Sequence, residues 1–359
     1  MLIWTILLAF CVLVSGFLDQ RQEEEKAGYG FIYFIGEKYS NGEQIYFAVS
    51  NGDTPASWFI VNGGSPVLTS TLGDKGVRDP YIIQHPTTGV FYVVATDLKV
   101  YDSGKSWDAL SRNGSRYLSI WESPDLVTWS DQRLVEVSPP EASLSRANNA
   151  FRGNTYLKVF QAGMSWAPEA TWDPVAQHFI VYWASNLFAA NDTAHSGSTY
   201  SRLLYANTTD FITFTEAEVW IDRGAPNIDT TVCKDPISGY YHRFSKAYSS
   251  KVIQERSLNM FGTWELVFEG IGYADHGQVE GPLCFVDNLN SSLFHVWVDD
   301  IVDLAGEVQG YLPYQPDNIS SGVWTMSTGY TLPSDPRHGT VFAITTSEMA
   351  NLASVTSVI

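Results

Sequence analysis

The chain has 359 residues, of which 45% are hydrophobic and 14% aromatic, as in a globular protein with a large core. It carries 21 Lys and Arg against 39 Asp and Glu, which gives a formal net charge of −18. Nucleic acids and anionic membranes are held by basic surfaces, so we expect neither as a partner and expect a neutral substrate instead.

The N-terminus begins with an apolar run at residues 2–14, followed by Ser15-Gly16. This run is too short to cross a bilayer, and it predicts a secretory signal peptide over residues 1–16, although basic residues before it are missing. A membrane anchor or a buried helix is the alternative. Residues 17–28 are charged without apolar periodicity and are predicted to be a mobile lead-in.

Five Asn-x-Ser/Thr sequons agree with export from the cell. They begin at Asn113, Asn191, Asn207, Asn290 and Asn318. We therefore expect a secreted, extracellular glycoprotein.

Short β-rich runs follow the lead-in. Residues 31–35 and 44–49 are rich in β-forming residues and lie on either side of Asn41-Gly42, which is a hairpin signal. Residues 58–61 supply a third strand. Helical periodicity of ten residues or more with caps is found nowhere, so the pattern predicts an all-β fold.

One motif recurs five times: a polar residue stands at the start of an apolar strand. The copies are Arg78-Asp79-Pro80, Trp166-Ala167-Pro168-Glu169, Asn227-Ile228-Asp229, Glu280-Gly281-Pro282 and Arg337-His338-Gly339. The polar residues at 79, 169, 229, 280 and 338 are separated by 90, 60, 51 and 58 positions. Repeats of this kind are typical of propeller blades, so five blades are predicted around one axis lined by these residues.

Four blades are predicted at residues 78–135, 166–221, 227–271 and 279–326. The fifth combines an inner strand at 338–344 with the strands of 29–62. The prediction is a single five-bladed β-propeller domain over residues 29–359, closed by pairing the N-terminal strands with the C-terminal inner strand. Residues 138–161 fit no blade; a loop over the cleft and an artefact of the gene model both stay open.

The three cysteines are too few for a disulfide scaffold. Cys11 falls within the predicted signal peptide. Cys233 and Cys284 each follow an axial carboxylate by four residues, so they occupy equivalent places on neighbouring blades. A disulfide between them is possible, but two buried thiols are the preferred interpretation.

The strand starts bring carboxylates and a histidine to one face of the ring. Hydrolysis of a glycosidic bond needs one carboxylic acid to protonate the leaving oxygen and one carboxylate to attack or to activate water. Carboxylates that are crowded together cannot all ionise easily, so a like charge raises the pKa of one of them. The pattern therefore indicates glycoside hydrolysis.

With these five motifs in this order, the chain resembles glycoside hydrolase family 43, the five-bladed propeller enzymes that act on plant arabinans, arabinoxylans and xylans. The resemblance covers residues 29–345. It implies an inverting mechanism in which Asp79 is the general base and Glu280 the general acid. Asp229 corresponds to the third carboxylate, which holds Glu280 and raises its pKa, although Thr230 stands where the family often has Pro. Inversion places base and acid about 6.5–9.5 Å apart.

Five further residues are candidates for contact with substrate. Trp166 is expected to stack on a sugar ring. Arg243 and Lys246 are expected to reach a sugar hydroxyl, with plain surface charge as the alternative. Glu169, where the family often has Asp or His, is expected to make substrate or axial contacts. The resemblance places His338 near the axis, beside a bound calcium or water in some members. No cofactor is required on this account, and calcium in the axial channel is an option with His338 as its candidate ligand.

The sequence thus predicts a secreted, monomeric, inverting glycosidase that acts on plant or fungal polysaccharides. An α-L-arabinofuranosidase is the first expectation and a β-xylosidase the second. One alternative is a retaining fructan- or sucrose-cleaving propeller, in which Cys follows the acid and the nucleophile strand carries Asn-Asp-Pro; here Gly281 follows Glu280. The other alternative is a non-catalytic sugar-binding propeller.

Overall fold

The computed structural model describes residues 24–138, 142–144, 158–247, 251–301 and 310–355. The predicted signal peptide, residues 1–16, and most of the predicted lead-in lie outside them. The described residues form five antiparallel sheets arranged in a ring, which confirms the predicted all-β, five-bladed propeller.

The elements are numbered along the chain. The first group is β1 (Lys26–Phe34), β2 (Tyr46–Ser50) and β3 (Trp58–Ile60), followed by a 3₁₀ turn (Val61–Gly64). The next is β4 (Val77–Gln84), β5 (Phe91–Asp97), helix α1 (Trp107–Arg112), β6 (Tyr117–Ser123) and β7 (Arg133–Glu136). The third is β8 (Ala142–Leu144), β9 (Lys158–Ala162), β10 (Trp166–Asp173), β11 (His178–Ala189), β12 (Ser201–Thr208) and β13 (Glu218–Ile221).

The remaining elements complete the ring. The fourth group is β14 (Asn227–Lys234), β15 (Tyr241–Ala247), β16 (Lys251–Ser257) and β17 (Glu265–Ile271), followed by helix α2 (Tyr273–His276). The fifth is β18 (Val279–Val286), β19 (Phe294–Asp300), β20 (Gly310–Pro316) and β21 (Trp324–Met326). The chain ends with β22 (Arg337–Thr345) and helix α3 (Thr346–Ser354).

The first and last strands close the ring, as the sequence predicted. The closing sheet has the order β22-β1-β2-β3, so the C-terminal strand is innermost and the N-terminal hairpin lies outside it. Strand β1 begins at Lys26, so the last three residues of the predicted lead-in belong to a strand. The pairing removes the two open edges that an unclosed ring would expose.

Helix α3 was not predicted, because its nine residues are too short to show a clear helical period. Its first turn is fixed by a capping box, in which the Thr345 side chain accepts from the backbone N–H of Glu348 and the Glu348 carboxylate accepts from that of Thr345. Leu352 anchors the helix in the core. None of the helices in the described ranges is long and apolar enough to cross a membrane.

The blade predicted at residues 166–221 is larger than expected. Strand β9 pairs with the end of β11, and β8 pairs with β9, so parts of segment 138–161 extend this blade rather than form a free loop. The other residues of that segment lie outside the described ranges.

Strands β4, β10, β14, β18 and β22 are innermost, and each packs against the inner strands of both neighbouring blades. Two Trp residues near the starts of outer strands are packed between blades: Trp129 precedes β7, and Trp324 begins β21. The ring of Trp129 lies 5.8 Å from that of Phe47, and the ring of Trp324 lies 5.6 Å from that of Phe244. This core holds the inner strands, and the side chains at their starts, at fixed positions around the axis.

The preferred interpretation of Cys233 and Cys284 as two thiols is wrong. The structure joins them in a disulfide with a Cα–Cα distance of 6.0 Å, within the usual range for such bonds. They lie on β14 and β18, two inner strands in direct contact, so equivalent positions on neighbouring blades are close enough to bond.

Candidate active site

Four of the inner strands have a residue in the left-handed backbone region at their second or third position. These residues are Asp79 (φ 51°), Ala167 (φ 50°), Asp229 (φ 50°) and Gly281 (φ 48°). At each one the pairing with the second strand of the blade shifts register, as in a β-bulge. Bulges re-aim side chains and are common beside active sites. Here they turn the strand starts toward the axis.

The bulges show that the acids are not equivalent by position. Asp79 and Asp229 occupy the left-handed position itself, whereas Glu280 precedes it by one residue and Glu169 follows it by two. At the position equivalent to Asp79 in the fourth blade, a side chain on Gly281 would place its Cβ 2.8 Å from Cγ of His338. Glycine is required there.

One cavity of about 460 Å³ opens at this end of the ring. Its wall contains the predicted base, modulator and acid, together with three further polar or aromatic side chains: Asp79, Asp229, Glu280, His338, Lys246 and Trp166. The exposed fractions of the three acidic side chains are 15%, 10% and 23%. The fold therefore brings three carboxylates from three blades to one solvent-accessible pocket, with a volume typical of small-molecule sites.

Asp79 is held in its ionised form. Burial raises its pKa, but the hydrogen bond and charge of His338 and the charge of Arg78 outweigh burial, so the pKa lies below its usual value. The Thr96 hydroxyl donates to Oδ2 of Asp79 at 2.8 Å and accepts from the backbone N–H of Ala167 at 2.8 Å. A carboxylate fixed in this way is oriented and is available to accept a proton.

His338 supplies the positive charge on the axis. Its Nδ1 lies 3.3 Å from Oδ1 of Asp79 and 4.0 Å from Oδ1 of Asp229. Burial opposes protonation, but these carboxylates raise the pKa of His338 to about 9. His338 is therefore an imidazolium at neutral pH and bridges two of the acids.

Asp229 and Glu280 titrate as a pair. Oδ2 of Asp229 accepts from the backbone N–H of Gly281 at 3.2 Å, directly beside Glu280. Burial and the charge of Glu280 raise the pKa of Asp229 to about 6. Burial also raises the pKa of Glu280, but the charges of Lys246 and Arg337 reverse this effect and leave it below its usual value. The rise in pKa that the sequence predicted for Glu280, from a neighbouring negative charge, is therefore found for Asp229 instead.

Glu169 does not line the cavity. It is 4% exposed, and the Tyr182 hydroxyl donates to its Oε2 at 3.3 Å. Burial raises the pKa of Glu169 to about 8, so this carboxyl is mostly neutral at pH 7. The substrate and axial contacts expected for Glu169 both stay predictions, and its burial and its absence from the cavity wall argue against direct contact with a sugar in that cavity.

The hypothesis that Arg243 reaches a sugar hydroxyl is wrong, because its side chain points away from the cavity. It packs under the ring of Trp264, 4.1 Å from the centroid, and pairs with Glu255 at 2.7 Å. Side chains alternate along a strand, so positions 243 and 246, three apart on β15, face opposite sides. Lys246 is the one that lines the cavity.

Three residues of the site escaped prediction: Thr96, Asp299 and Trp107. Thr96 and Asp299 lie opposite Arg78 and Glu280 in the first hairpin of their blades, as Lys246 lies opposite Ile228. The register of each inner hairpin was therefore the signal that would have found them. Trp107 begins α1, lies 6.0 Å from Trp166 ring to ring, and is 49% exposed at the cavity wall.

Calcium in the axial channel stays a prediction. In the parts of the chain that are described, no three or more His, Cys, Asp or Glu side chains form a group that could hold a metal ion. His338, whose pKa is raised, itself carries the positive charge between the carboxylates. A calcium ion on the axis would therefore have to compete with this positive charge.

Residues 24–350 match the family model described as "Probable glycosyl hydrolase domain", a domain related to glycoside hydrolase family 43. An α-L-arabinofuranosidase of Bifidobacterium longum subsp. longum is 33% identical over 227 residues, which is 61% of this chain and 19% of that protein. This chain thus spans about a fifth of the length of that relative.

Two solved structures are similar to this chain. One is a β-1,3-galactosidase of glycoside hydrolase family 43, with 15% identity, a TM-score of 0.50 and coverage of 84% of this chain and 90% of the other. The second is an exo-1,5-α-L-arabinanase from a bovine ruminal metagenomic library, with 13% identity, a TM-score of 0.42 and coverage of 74% and 78%. The family model, not these structures, decides membership: with its match across residues 24–350, the chain belongs to the glycosyl hydrolase 43-related family.

Proposed function

We propose that the protein is an inverting glycosidase that releases terminal α-L-arabinofuranosyl residues from polysaccharides or oligosaccharides. The observation that carries the proposal is the single cavity lined by Asp79, Asp229 and Glu280, which stand on three different blades. Membership of the family supports glycoside hydrolysis, and the 33% identical relative supports the arabinofuranosidase assignment.

In this proposal Asp79 is the general base. Its two carboxylate oxygens are oriented by Thr96 and His338, and its pKa lies below the usual value. It is therefore ionised over most of the pH range in which a glycosidase works. An ionised and oriented carboxylate can accept a proton from water as that water attacks the anomeric carbon.

Glu280 is proposed as the general acid and Asp229 as the residue that controls its proton. The pKa of Asp229 is raised to about 6 by burial and by Glu280. Below that pH the pair holds one proton, which is the proton that the leaving oxygen requires. When the glycosidic bond breaks, Glu280 transfers this proton, and the water deprotonated by Asp79 supplies the new hydroxyl on the opposite face.

Export from the cell remains part of the proposal. The Cys233–Cys284 disulfide supports it, because such bonds persist mainly in oxidising compartments. Among the sequon asparagines, Asn113, Asn191, Asn290 and Asn318 are exposed, whereas Asn207 is half-buried. Edman sequencing and glycan mass analysis of the protein secreted by its native cells would test this part.

The test is a substrate screen followed by stereochemistry. Purified protein is given aryl α-L-arabinofuranoside, β-xyloside and β-galactoside, and we expect turnover of the arabinofuranoside to be highest. Proton NMR of the first-formed sugar should then show the β-anomer from the α-substrate. A first-formed α-anomer would indicate retention, and no turnover of any glycoside would overturn the proposed function.

A further inference from the structure

Both oxygens of the proposed acid, Glu280, face cations. The Lys246 ammonium donates to Oε2, and Nη2 of Arg337 lies 3.5 Å from Oε1. A general acid must carry a proton on one of these oxygens and present it to the leaving group. Each cation stabilises the ionised form of the carboxylate. Glu280 therefore takes up a proton more readily once one of the two cations has moved away.

The two cations differ in how firmly they are held. Nε of Arg337 is fixed by both oxygens of the fully buried Asp299, at 2.8 and 2.7 Å. Within the described part of the chain, the Lys246 ammonium donates to Glu280 and to no other side chain. Lysine is a compact charge on a flexible stem, whereas the arginine fork is rigid. Lys246 is therefore the cation that can be displaced.

Both cations line the cavity, and Lys246 is the more exposed of the two. It lines the cavity, with a side chain that is 16% exposed, beside the 23% exposed side chain of Glu280. Its ammonium has three donor hydrogens, so a sugar hydroxyl entering the cavity can compete with Glu280 for it. Ile228, which pairs with Lys246 across the hairpin, lines the same cavity.

The other charged groups around Glu280 come from the four remaining strands packed on β18. Asp229 on β14, Asp299 on β19, and Arg337 and His338 on β22 all act on its charge. On β16, Glu255 is turned away and pairs with Arg243 and Arg223. Only Lys246 combines contact with Glu280, access from the cavity and freedom to leave.

We propose that Lys246 is a positioning residue that holds Glu280 in its carboxylate form until a hydroxyl of the bound sugar takes the ammonium away, which allows Glu280 to receive its proton. This inference rests on the proposed glycosidase function. In this mechanism substrate binding makes protonation of Glu280 favourable, so Glu280 becomes a proton donor only when a sugar is bound.

The proton comes from within the pair. Before displacement it resides on Asp229, and after displacement it passes to Glu280, which leaves Asp229 as a carboxylate. The total charge of the pair stays the same, and no other reactant is consumed. Loss of the nearby ammonium raises the proton affinity of Glu280, which drives this transfer.

The pH dependence of wild-type turnover tests the inference directly. The profile of kcat/KM reports the free enzyme and that of kcat the complex with substrate. The pair loses its proton as pH rises, so activity falls on the basic side. Because the ammonium lowers the proton affinity of the pair only before displacement, the basic limb of kcat should lie at higher pH than that of kcat/KM. An arabinofuranoside with a poor leaving group is used, so that protonation limits turnover.

Variants separate this role from a structural one. In Lys246→Met the cation is absent in both states, so the basic limb of kcat/KM should move to higher pH and meet that of kcat. Lys246→Arg restores the charge and should return the kcat/KM limb toward its wild-type position. Lys251→Met, which removes the surface pair with Glu269, should leave both limbs unchanged.

The inference would be overturned if the basic limbs of kcat and kcat/KM coincided in the wild type, or if they stayed apart in Lys246→Met. Either result would leave the proposed function intact. Circular dichroism and thermal melting establish that each variant is folded, and the wild-type comparison needs no variant at all. Absence of any hydrolysis by the wild type would instead overturn the proposed function, and the inference with it.

Discussion

Gly281 is the residue on which the shape of the site depends most. Its φ of 48° is in the left-handed region, where a residue with a Cβ loses about 1–2 kcal/mol. At the equivalent positions Asp79 and Asp229 bear that strain, as side chains at functional sites often do. In the fourth blade there is no room for a side chain, because His338 occupies the space.

Gly281→Ala should therefore lower both stability and activity. The matched control is Gly239→Ala, at φ 77° with nothing within 4 Å of the added Cβ, which meets the backbone cost alone. In urea unfolding we expect Gly281→Ala to lose more free energy of unfolding than Gly239→Ala. Only Gly281→Ala should also reduce arabinofuranoside turnover, since it displaces His338. Equal effects of the two changes on both measurements would contradict the tight contact described here.

Single residues also mark the limit of prediction from sequence. Asp79, Asp229 and Glu280 were identifiable because repeated motifs label strand starts. Arg243 and Lys246 were not distinguishable, since only the pairing register tells which of the two faces the cavity. The same holds for Glu169, which stands two residues beyond the left-handed residue Ala167 and does not line the cavity. Bulges leave no clear signal in one sequence.

Among the elements, β14 and β18 are joined most firmly. They are neighbouring inner strands, they carry Asp229 and Glu280, and the Cys233–Cys284 disulfide links them across 51 residues of chain. A bond that closes a loop of this size typically stabilises a protein by about 2–4 kcal/mol. It also limits how far the two proposed catalytic strands can separate.

The double variant Cys233→Ser/Cys284→Ser should lose about 2–4 kcal/mol of unfolding free energy. Reductant should lower the unfolding midpoint of the wild type to about that of the double variant. Guanidinium unfolding with and without dithiothreitol measures both. The double variant in reductant is the internal control, because it has no bond left to break. A wild-type midpoint that is insensitive to reductant would show that the bond is absent or contributes nothing.

Strands were predictable where apolar and polar residues alternate and where turn residues mark the ends. Each predicted strand of the closing sheet was confirmed. The exceptions have physical reasons. Helix α3 depends on a capping box and a single buried Leu352, and strand β8 has only three residues. Elements of that length are fixed by packing against the finished ring rather than by a periodic pattern of their own.

For the whole molecule, closure of the ring and assembly of the site are one event. Strand β22 packs between β18 and β4 and carries His338, whose imidazolium reaches Asp79 and Asp229. It also carries Arg337, which approaches Glu280. Residues more than 250 positions apart in sequence thus meet only when the last blade is complete. The five-fold pattern predicted this architecture, whereas the charge network around the axis required coordinates.

The central proposal is that Asp79 and Glu280 act on opposite sides of one glycosidic bond, Asp79 as base and Glu280 as acid. Turnover by Asp79→Asn and Glu280→Gln, each measured on arabinofuranosides with a dinitrophenyl and with an alkyl leaving group, tests this most directly, with the exposed Glu265→Gln as control. Loss of an acid matters in proportion to the basicity of the leaving group.

Glu280→Gln should therefore lose about 10²–10⁴-fold with the alkyl group but far less with dinitrophenyl, whereas Asp79→Asn should lose similar factors with both. Equal losses for Glu280→Gln on the two substrates, or near-native turnover by Asp79→Asn, would contradict the account.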